Sequence, residues 1–224
     1  MLILQHTEGE WIGSMNDGFA EPSRVNNFIL HTVRLDHGST LPASDSFDWL
    51  LIMGGLMSVN DESDYLWLRE EKQLIRQSIA DDKTIIGICL GGQMIASAAG
   101  AEVYRNSTPE IGWFAVIRTD TDVTWLPETA SLLSWHGDCF RVPVGARPFA
   151  TSHMTPCQGF SLGPRIWVLQ FHLQAQSGTV AAFLALEPHG LPEGEYVQRQ
   201  QQLLSEAFLS RSQTIMHGLL DSLV

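Results

Sequence analysis

The chain has 224 residues, with 13 Lys and Arg against 25 Asp and Glu, which gives a formal net charge of −12. This acidic balance argues against binding to nucleic acid or to an anionic membrane surface, because both need clustered basic side chains. With 44% hydrophobic and 17% charged residues, the chain has enough apolar material for one large folded domain. Three cysteines cannot form a complete disulfide framework, and the sequence contains no evident targeting or membrane-spanning segment. We therefore expect a soluble cytoplasmic protein.

Short apolar segments alternate with longer amphipathic ones, a pattern typical of an α/β fold with helices on the faces of a sheet. The periodicity predicts strands at residues 2–5, 32–35, 49–53, 84–88, 111–117, 132–135 and 166–171. It predicts helices at residues 22–31, 65–80 and 91–99.

A cluster of helix-breaking residues at 188–194 separates the sheet region from the end of the chain. We therefore predict a domain over residues 1–187, followed over residues 188–224 by a linker and a final amphipathic helix. The helix is expected to span about 25 residues from near Glu195. Its apolar stripe contains Leu204, Phe208, Ile215 and Leu219. We expect this stripe to pack on the same domain, and a contact between protomers of a homodimer is the alternative.

The most specific feature of the sequence is Gly87-Ile88-Cys89-Leu90-Gly91, which joins an apolar strand to a helix of small residues. This is the arrangement of a nucleophile elbow, in which glycines allow a sharp turn that presents one side chain at the end of a strand. The N–H groups and dipole of the following helix are expected to lower the pKa of a thiol there. A buried core cysteine is the common alternative, but it needs no flanking glycines. We therefore predict that Cys89 is a catalytic nucleophile.

A cysteine nucleophile needs a base, and His172 and His136 are the two candidates among the eight histidines. We predict that His172 is the base, because the carboxyl ends of parallel strands share the sheet edge where ligands bind. His136, which precedes Gly137 and Asp138, is the alternative base. We expect it to lie instead on a loop that shapes the pocket.

A glycine pair, Gly54-Gly55, also follows a predicted strand, and its backbone N–H groups are candidates for an oxyanion hole. The sequence contains neither a phosphate-binding loop nor a dinucleotide-binding glycine motif. Its cysteines lack the close spacing of a zinc site. We therefore expect neither a cofactor nor a metal ion.

Together these motifs resemble the class I, or triad-type, glutamine amidotransferase family. They are similar in particular to its free-standing members that resemble the amidotransferase domain of GMP synthetase. The resemblance runs from the first strand to about Gln174 and is carried by residues 53–61, 87–93, 103–105, 110–114, 135–138 and 170–172.

The resemblance implies a flavodoxin-like α/β sandwich, with a mostly parallel central sheet and helices on both faces. It also implies hydrolysis of L-glutamine to glutamate and ammonia through a γ-glutamyl thioester on Cys89. By the same resemblance, the N–H groups of Gly55 and Leu90 bind the oxyanion. His172 then protonates the departing ammonia and activates water. The positions that match the glutamine pocket of the family are Gly54, Gln93, His136, Gly137 and Asp138.

Two residues depart from the family pattern. Leu56 stands where the family often has proline, and we expect little effect because the oxyanion donor is a backbone group. Gln174 stands where the family has the glutamate of its catalytic triad, two residues after the histidine. As the third catalytic residue, its amide can orient the imidazole but brings no negative charge to stabilise an imidazolium.

Three functions are therefore open at this stage. The first is a glutamine amidotransferase that passes ammonia to an acceptor enzyme on a separate chain, since no ATP-binding motif is present to activate an acceptor. The second is a γ-glutamyl hydrolase or peptidase with the same Cys-His machinery. The third is a weakly active or silent regulatory homologue, which the amide at Gln174 suggests.

Overall fold

The computed structural model describes residues 1–20, 28–187 and 189–223. Within these ranges the strands are β1 (Leu2–Gln5), β2 (His31–Arg34), β3 (Trp49–Ile52), β4 (Thr84–Ile88), β5 (Val103–Arg118), β6 (Thr129–Phe140), β7 (Arg147–Thr151), β8 (Gly159–Leu162) and β9 (Ile166–Leu169). The α-helices are α1 (Met15–Ala20), α2 (Trp67–Ala80), α3 (Leu90–Ala98), α4 (Thr179–Ala185), α5 (Gln200–Leu203) and α6 (Leu209–Asp221). Short 3-10 helices lie at Leu35–His37, Ser44–Ser46 and Glu206–Phe208.

The strands form one sheet in the order β2-β1-β3-β4-β9-β8-β7-β5-β6. Neighbours from β2 to β9 are parallel, and neighbours from β9 to β6 are antiparallel. The sheet is therefore mixed, with its parallel half at the centre of an α/β fold of the flavodoxin-like type. This confirms the fold class that the sequence predicts.

Helices cover both faces of the parallel strands because alternate strand residues point to opposite sides. On one face, Leu2, Leu50 and Ile85 pack in a core with α2 and α3. On the other face, Ile3 and Ile86 pack in a core with α1 and α6. The central strands β3, β4 and β9 are thus largely apolar, which is why the sequence shows short continuous hydrophobic runs.

The antiparallel half differs from its prediction. Strands β7 and β8 are not predicted, and β5 and β6 are much longer than expected. In particular, the segment His136-Gly137-Asp138 is not a loop, because it lies inside β6 and pairs with β5. The pairing of β5 with β6 outweighs the local preference of Gly-Asp for a turn. The register of this pairing shifts between Arg105 and Glu110, opposite this segment.

The prediction of a single C-terminal helix of about 25 residues is wrong. The segment divides into α5, a 3-10 turn and α6, and α6 has 13 residues. The division falls at Ser205, whose hydroxyl accepts a hydrogen bond from the N–H of Ala207 and so starts a new turn. Ile215 and Leu219 of the predicted stripe are buried, whereas Leu204 is 47% exposed.

Most of the predicted helix at residues 22–31 lies outside the described residues, and its last position, His31, begins β2. Over the ranges described, the structure contains no helix that combines the length and apolar character needed to cross a membrane.

The start of α3 packs directly against the end of β3. A Cβ at Gly91 would overlap the backbone carbonyl of Ile52, so only glycine fits there. We expect Gly91→Ala to lower the free energy of unfolding by about 3 kcal/mol or more through overpacking, measured by urea denaturation. Gly92→Ala is the matched control, because its new methyl would mainly contact the side chain of Val168. Equal losses in the two variants would contradict this account.

Candidate active site

Four adjacent parallel strands end at one edge of the sheet, and each is followed by residues of the candidate site. His6 and Glu10 follow β1, Gly54 and Gly55 follow β3, Cys89 follows β4, and His172 and Gln174 follow β9. This is the edge at which open parallel sheets bind ligands.

Cys89 occupies a strained turn between β4 and α3, with φ 52° and ψ −111°. The conformation is held from both sides, because its N–H donates to Leu169 O at 2.8 Å and its carbonyl accepts from Gln93 N at 3.0 Å. Its thiol donates to the carbonyl of Trp135 at 3.6 Å. The side chain lines a cleft of about 560 Å³. The elbow expected from the glycine spacing is therefore present, and its thiol reaches a cleft of a size usual for small-molecule sites.

The pKa of Cys89 differs from the sequence-based expectation. Burial, and secondarily the carboxylate of Glu10, raise the pKa of the thiol well above its usual range. The N–H of Leu90, at the start of α3, lowers it by less. The helix N-terminus thus acts in the expected direction, but desolvation outweighs it.

His172 is fully buried beside the elbow. Its backbone N–H donates to Leu133 O at 2.8 Å, and its Nδ1 lies 3.0 Å from Gln174 Nε2. Among the described residues, its Nε2 has no hydrogen-bond partner. Burial, together with nearby His136, lowers the pKa of His172 to about 3. The imidazole is therefore neutral in the resting protein, with one ring nitrogen free to exchange a proton.

His136 lies between a backbone carbonyl and a carboxylate. Its Nδ1 lies 3.1 Å from the carbonyl of Asp138. Its Nε2 lies 3.4 Å from Glu110 Oε2, within ion-pair distance but without a hydrogen bond among the described residues. Despite burial, hydrogen bonds and the charge of His136 lower the pKa of Glu110. The Glu110 carboxylate also accepts hydrogen bonds from Ser152, Thr155 and Gln158. His136 Nε2 thus faces a carboxylate in the cleft wall, whereas His172 Nε2 has neither a hydrogen-bond nor an ion-pair partner among the described residues.

The predicted pocket residues Gln93 and Gly137 lie beside Asp138. The Asp138 carboxylate accepts from Ser58 Oγ at 2.8 Å and from Arg105 Nη1 at 3.2 Å. Its backbone carbonyl accepts from Gln93 Nε2 at 3.1 Å. Gly137 lines the same cleft, and a Cβ there would strike the Arg105 guanidinium. The cleft wall therefore presents a carboxylate and a guanidinium side by side.

A buried ion pair, which the sequence analysis did not find, holds the Gly54-Gly55 turn. His6 Nδ1 lies 3.0 Å from Gly54 O, and its Nε2 lies 3.0 Å from Glu71 Oε1. Burial alone would lower the pKa of His6, but the Glu71 carboxylate outweighs it and raises the pKa. As an imidazolium, His6 donates to both groups. Because a trans peptide directs its C=O and N–H in opposite directions, the N–H of Gly55 points away from His6.

Glu10 is a second buried group that the sequence analysis did not find. Its Oε2 lies 3.9 Å from His172 Nδ1 and has no hydrogen-bond partner within the described ranges. Burial raises the pKa of Glu10 to about 8, against an opposing effect of His6. Its place after β1, one of the strands that end at this edge, is the only local signal that favours it.

Known proteins resemble this chain over most of its length. The profile of the family "Glutamine amidotransferase class-I" matches residues 17–185. The chain is 30% identical over 169 residues to the glutamine amidotransferase-like protein YfeJ of Salmonella typhimurium, covering 71% of this chain and 70% of that protein. It is 30% identical over 147 residues to a subunit of the glutamine-hydrolyzing GMP synthase of Sulfolobus acidocaldarius, and the match covers 64% of this chain and 76% of that subunit. The crystal structure of a glutamine amidotransferase from Thermotoga maritima superposes with a TM-score of 0.88 at 29% identity, and the match covers 99% of this chain and 96% of that protein.

The raised pKa of Glu10 makes a prediction about stability. The unfolded carboxyl titrates near 4.5 and the folded one near 8, so the folded state binds the extra proton between these values. Stability should therefore fall as pH rises through this window. Glu10→Gln removes the effect, and we expect the variant to gain on the order of 3 kcal/mol relative to the original chain between pH 5 and pH 8. Urea denaturation at several pH values measures this gain. Glu8→Gln is the control, because Glu8 is an exposed neighbour. A difference in the free energy of unfolding between Glu10→Gln and the original chain that does not change with pH would contradict the prediction.

Proposed function

The chain belongs to the class I glutamine amidotransferase family, and we propose that it hydrolyses the side-chain amide of L-glutamine through a thioester on Cys89. The observation that carries the proposal is the juxtaposition at the cleft. A cysteine on a strained elbow faces an open cleft, and a buried histidine with a free Nε2 lies on the neighbouring strand end. Nucleophile, base and cleft are the parts that acyl transfer requires.

The reaction begins with both reacting groups neutral, because the pKa of the thiol is raised and that of His172 is lowered. The thiol proton passes to His172 Nε2 as Sγ bonds to the amide carbon. His172 then gives this proton to the departing nitrogen, the C–N bond breaks, and ammonia leaves a γ-glutamyl thioester. Water, activated by His172, attacks the thioester and breaks the C–S bond, which returns the proton to Cys89 and releases glutamate.

The oxyanion of the tetrahedral intermediate is bound by the N–H groups of Gly55 and Leu90. Their proximity supports this assignment, because a Cβ at Gly55 would lie 2.7 Å from the side chain of Leu90. The His6 imidazolium polarises the Gly54-Gly55 peptide by its hydrogen bond to the carbonyl, which strengthens the opposite N–H as a donor. Donors fixed before the reaction stabilise the developing charge without reorganisation.

Recognition of glutamine falls to the cleft wall. The Asp138 carboxylate suits an α-ammonium group, and the neighbouring Arg105 guanidinium suits an α-carboxylate. Gly54, Gln93, His136 and Gly137 complete the pocket as positions matched to the family. Because a free amino acid carries both of these charged groups, the two side chains favour free glutamine over an amide that lacks them.

Ammonia is delivered to an acceptor enzyme on a separate chain. One observation supports this part of the proposal, because the relative from Sulfolobus acidocaldarius is named as a subunit of GMP synthase.

A glutamine analogue that bears an electrophile in place of the amide tests the proposal. We expect it to form one covalent adduct, on Cys89, detected by mass spectrometry of the intact protein and its peptides. Cys139 and Cys157 should stay unmodified, because both are buried and neither is among the residues that line the cleft, whereas Cys89 is. Cys89→Ser is the control and should give no adduct.

Steady-state assays then separate the three candidate functions. Release of ammonia from free glutamine supports the proposal, whereas turnover only of γ-glutamyl peptides would favour the hydrolase. A folded protein that neither forms the adduct nor releases ammonia, with or without a candidate acceptor, would favour a silent regulatory homologue.

The ion pair behind the glycine turn gives a second prediction. Glu71→Leu removes the carboxylate that keeps His6 charged, and we expect kcat to fall by about 10- to 100-fold with little change in KM, since an oxyanion donor acts in the transition state. Glu71→Gln can still contact His6 Nε2, so its kcat should lie between those of the original chain and Glu71→Leu. Circular dichroism checks that each variant is folded. A change confined to KM would assign Glu71 to substrate binding instead.

A further inference from the structure

The amide at Gln174 leaves His172 without a charged partner on its own segment. Gln174 Nε2 lies 3.0 Å from His172 Nδ1, and Gln174 Oε1 has no hydrogen-bond partner in the part of the chain described. For Nε2 of His172 to accept a proton, Nδ1 must carry the other proton and donate it to an acceptor. A rotated amide can provide that acceptor but no negative charge.

The carboxylate of Glu10, which follows β1, lies near the same Nδ1 of His172. Strands β1 and β9 are separated by β3 and β4, a distance of about 14 Å at the usual strand spacing. The segment after β1 crosses this distance along the sheet edge, and Ser14 N donates to Gln174 O at 3.0 Å. Glu10 lies within this crossing segment, with Oε2 3.9 Å from His172 Nδ1.

The space for this carboxylate is created by a glycine. A Cβ at Gly54 would lie 2.5 to 2.7 Å from the carboxylate atoms of Glu10, so no larger residue is compatible with its position. The Glu10 side chain is 9% exposed, and its buried Oε2 forms no hydrogen bond to any described residue. A buried acceptor without a partner beside an imidazole is costly, which indicates a role other than stability.

We propose that Glu10 is a positioning residue that supplies, from the segment after β1, the negative charge that Gln174 cannot give to His172. The proposal rests on the proposed glutaminase function. The Glu10 carboxylate favours the form of His172 that carries its proton on Nδ1, which leaves Nε2 free to take the thiol proton. It then stabilises the imidazolium formed when that proton arrives. No additional proton or co-reactant enters the step.

Glu10 can supply this charge only at pH values at which its carboxyl group is ionised. The groups that face Glu10 are His6, His172 and the Cys89 thiol. Since burial raises the pKa of Glu10 to about 8, its carboxylate forms as pH rises through this value. We therefore expect an increase in kcat between pH 6.5 and pH 9 that depends on Glu10.

The test compares Glu10→Gln, Gln174→Glu and the double variant with the original chain. We expect Glu10→Gln to lower kcat by about 10- to 100-fold with KM nearly unchanged, the range expected for loss of one stabilising charge. The pH-dependent increase should also be lost. Gln174→Glu should restore kcat in the Glu10→Gln background while adding little to the original chain. Glu8→Gln, on the same segment but exposed, is the matched control and should change neither parameter.

A second readout keeps the inference separate from the function that it rests on. The rate at which a small alkylating reagent modifies Cys89 depends on proton transfer to His172 and needs no substrate. The Glu10 carboxylate opposes the thiolate but lies 3.9 Å from the imidazole, and we expect its stabilisation of the imidazolium to be the larger effect. Glu10→Gln should therefore slow this rate, and Gln174→Glu should restore it. If the original chain releases no ammonia but its alkylation follows Glu10, the proposed function fails and the inference holds. If Glu10→Gln, folded and more stable at pH 8, matches the original chain in alkylation, the inference is wrong. It is also wrong if Gln174→Glu acts equally in both backgrounds.

Discussion

The cleft depends on one close contact, between the first turn of α3 and the end of β3. Because Gly91 lies against the carbonyl of Ile52, the turn between β4 and α3 has no room to relax, and Cys89 is held at a positive φ. Such a conformation is unfavourable for a residue with a side chain and persists only where its surroundings fix it. Hydrogen bonds on both sides of Cys89 do so. The thiol therefore leaves the sheet in a fixed direction, and the remaining groups of the site are arranged around that direction.

The buried ionisable groups around the cleft divide into two kinds. His6 with Glu71, and Glu110 with its three hydrogen-bond donors, are satisfied by charge and hydrogen bonds, and they hold backbone or side chains in place. Glu10 and His172 are not satisfied in this way, and burial shifts their pKa values in the directions that favour their neutral forms. Groups of the second kind reduce stability at some pH values, so their retention is better explained by chemistry than by folding.

The features predicted correctly from sequence are those that local patterns determine. The parallel strands appear as apolar runs because both faces are covered, and the elbow appears because its glycines are adjacent in sequence. Features that depend on distant contacts were missed. The pairing of β5 with β6 converts the expected loop at His136 into a strand, and the ion pair of His6 with Glu71 joins residues that no motif relates. Burial, which is likewise a property of the whole fold, reverses the expected shift in the pKa of Cys89.

The amide at Gln174 and the acid at Glu10 are best understood together. Two carboxylates at one imidazole nitrogen would repel each other in a buried site, and one of them would remain protonated and useless as a source of charge. An amide at position 174 avoids this conflict, since it contacts Nδ1 without competing for the charge. Gly54 contributes to both sides of the arrangement. Its carbonyl accepts from His6 and so turns the Gly55 N–H away, and the absence of its side chain leaves space for Glu10. The sequence relates the glycine pair to the oxyanion and the glutamine pocket, and in the structure the pair also determines which residue can act on the base.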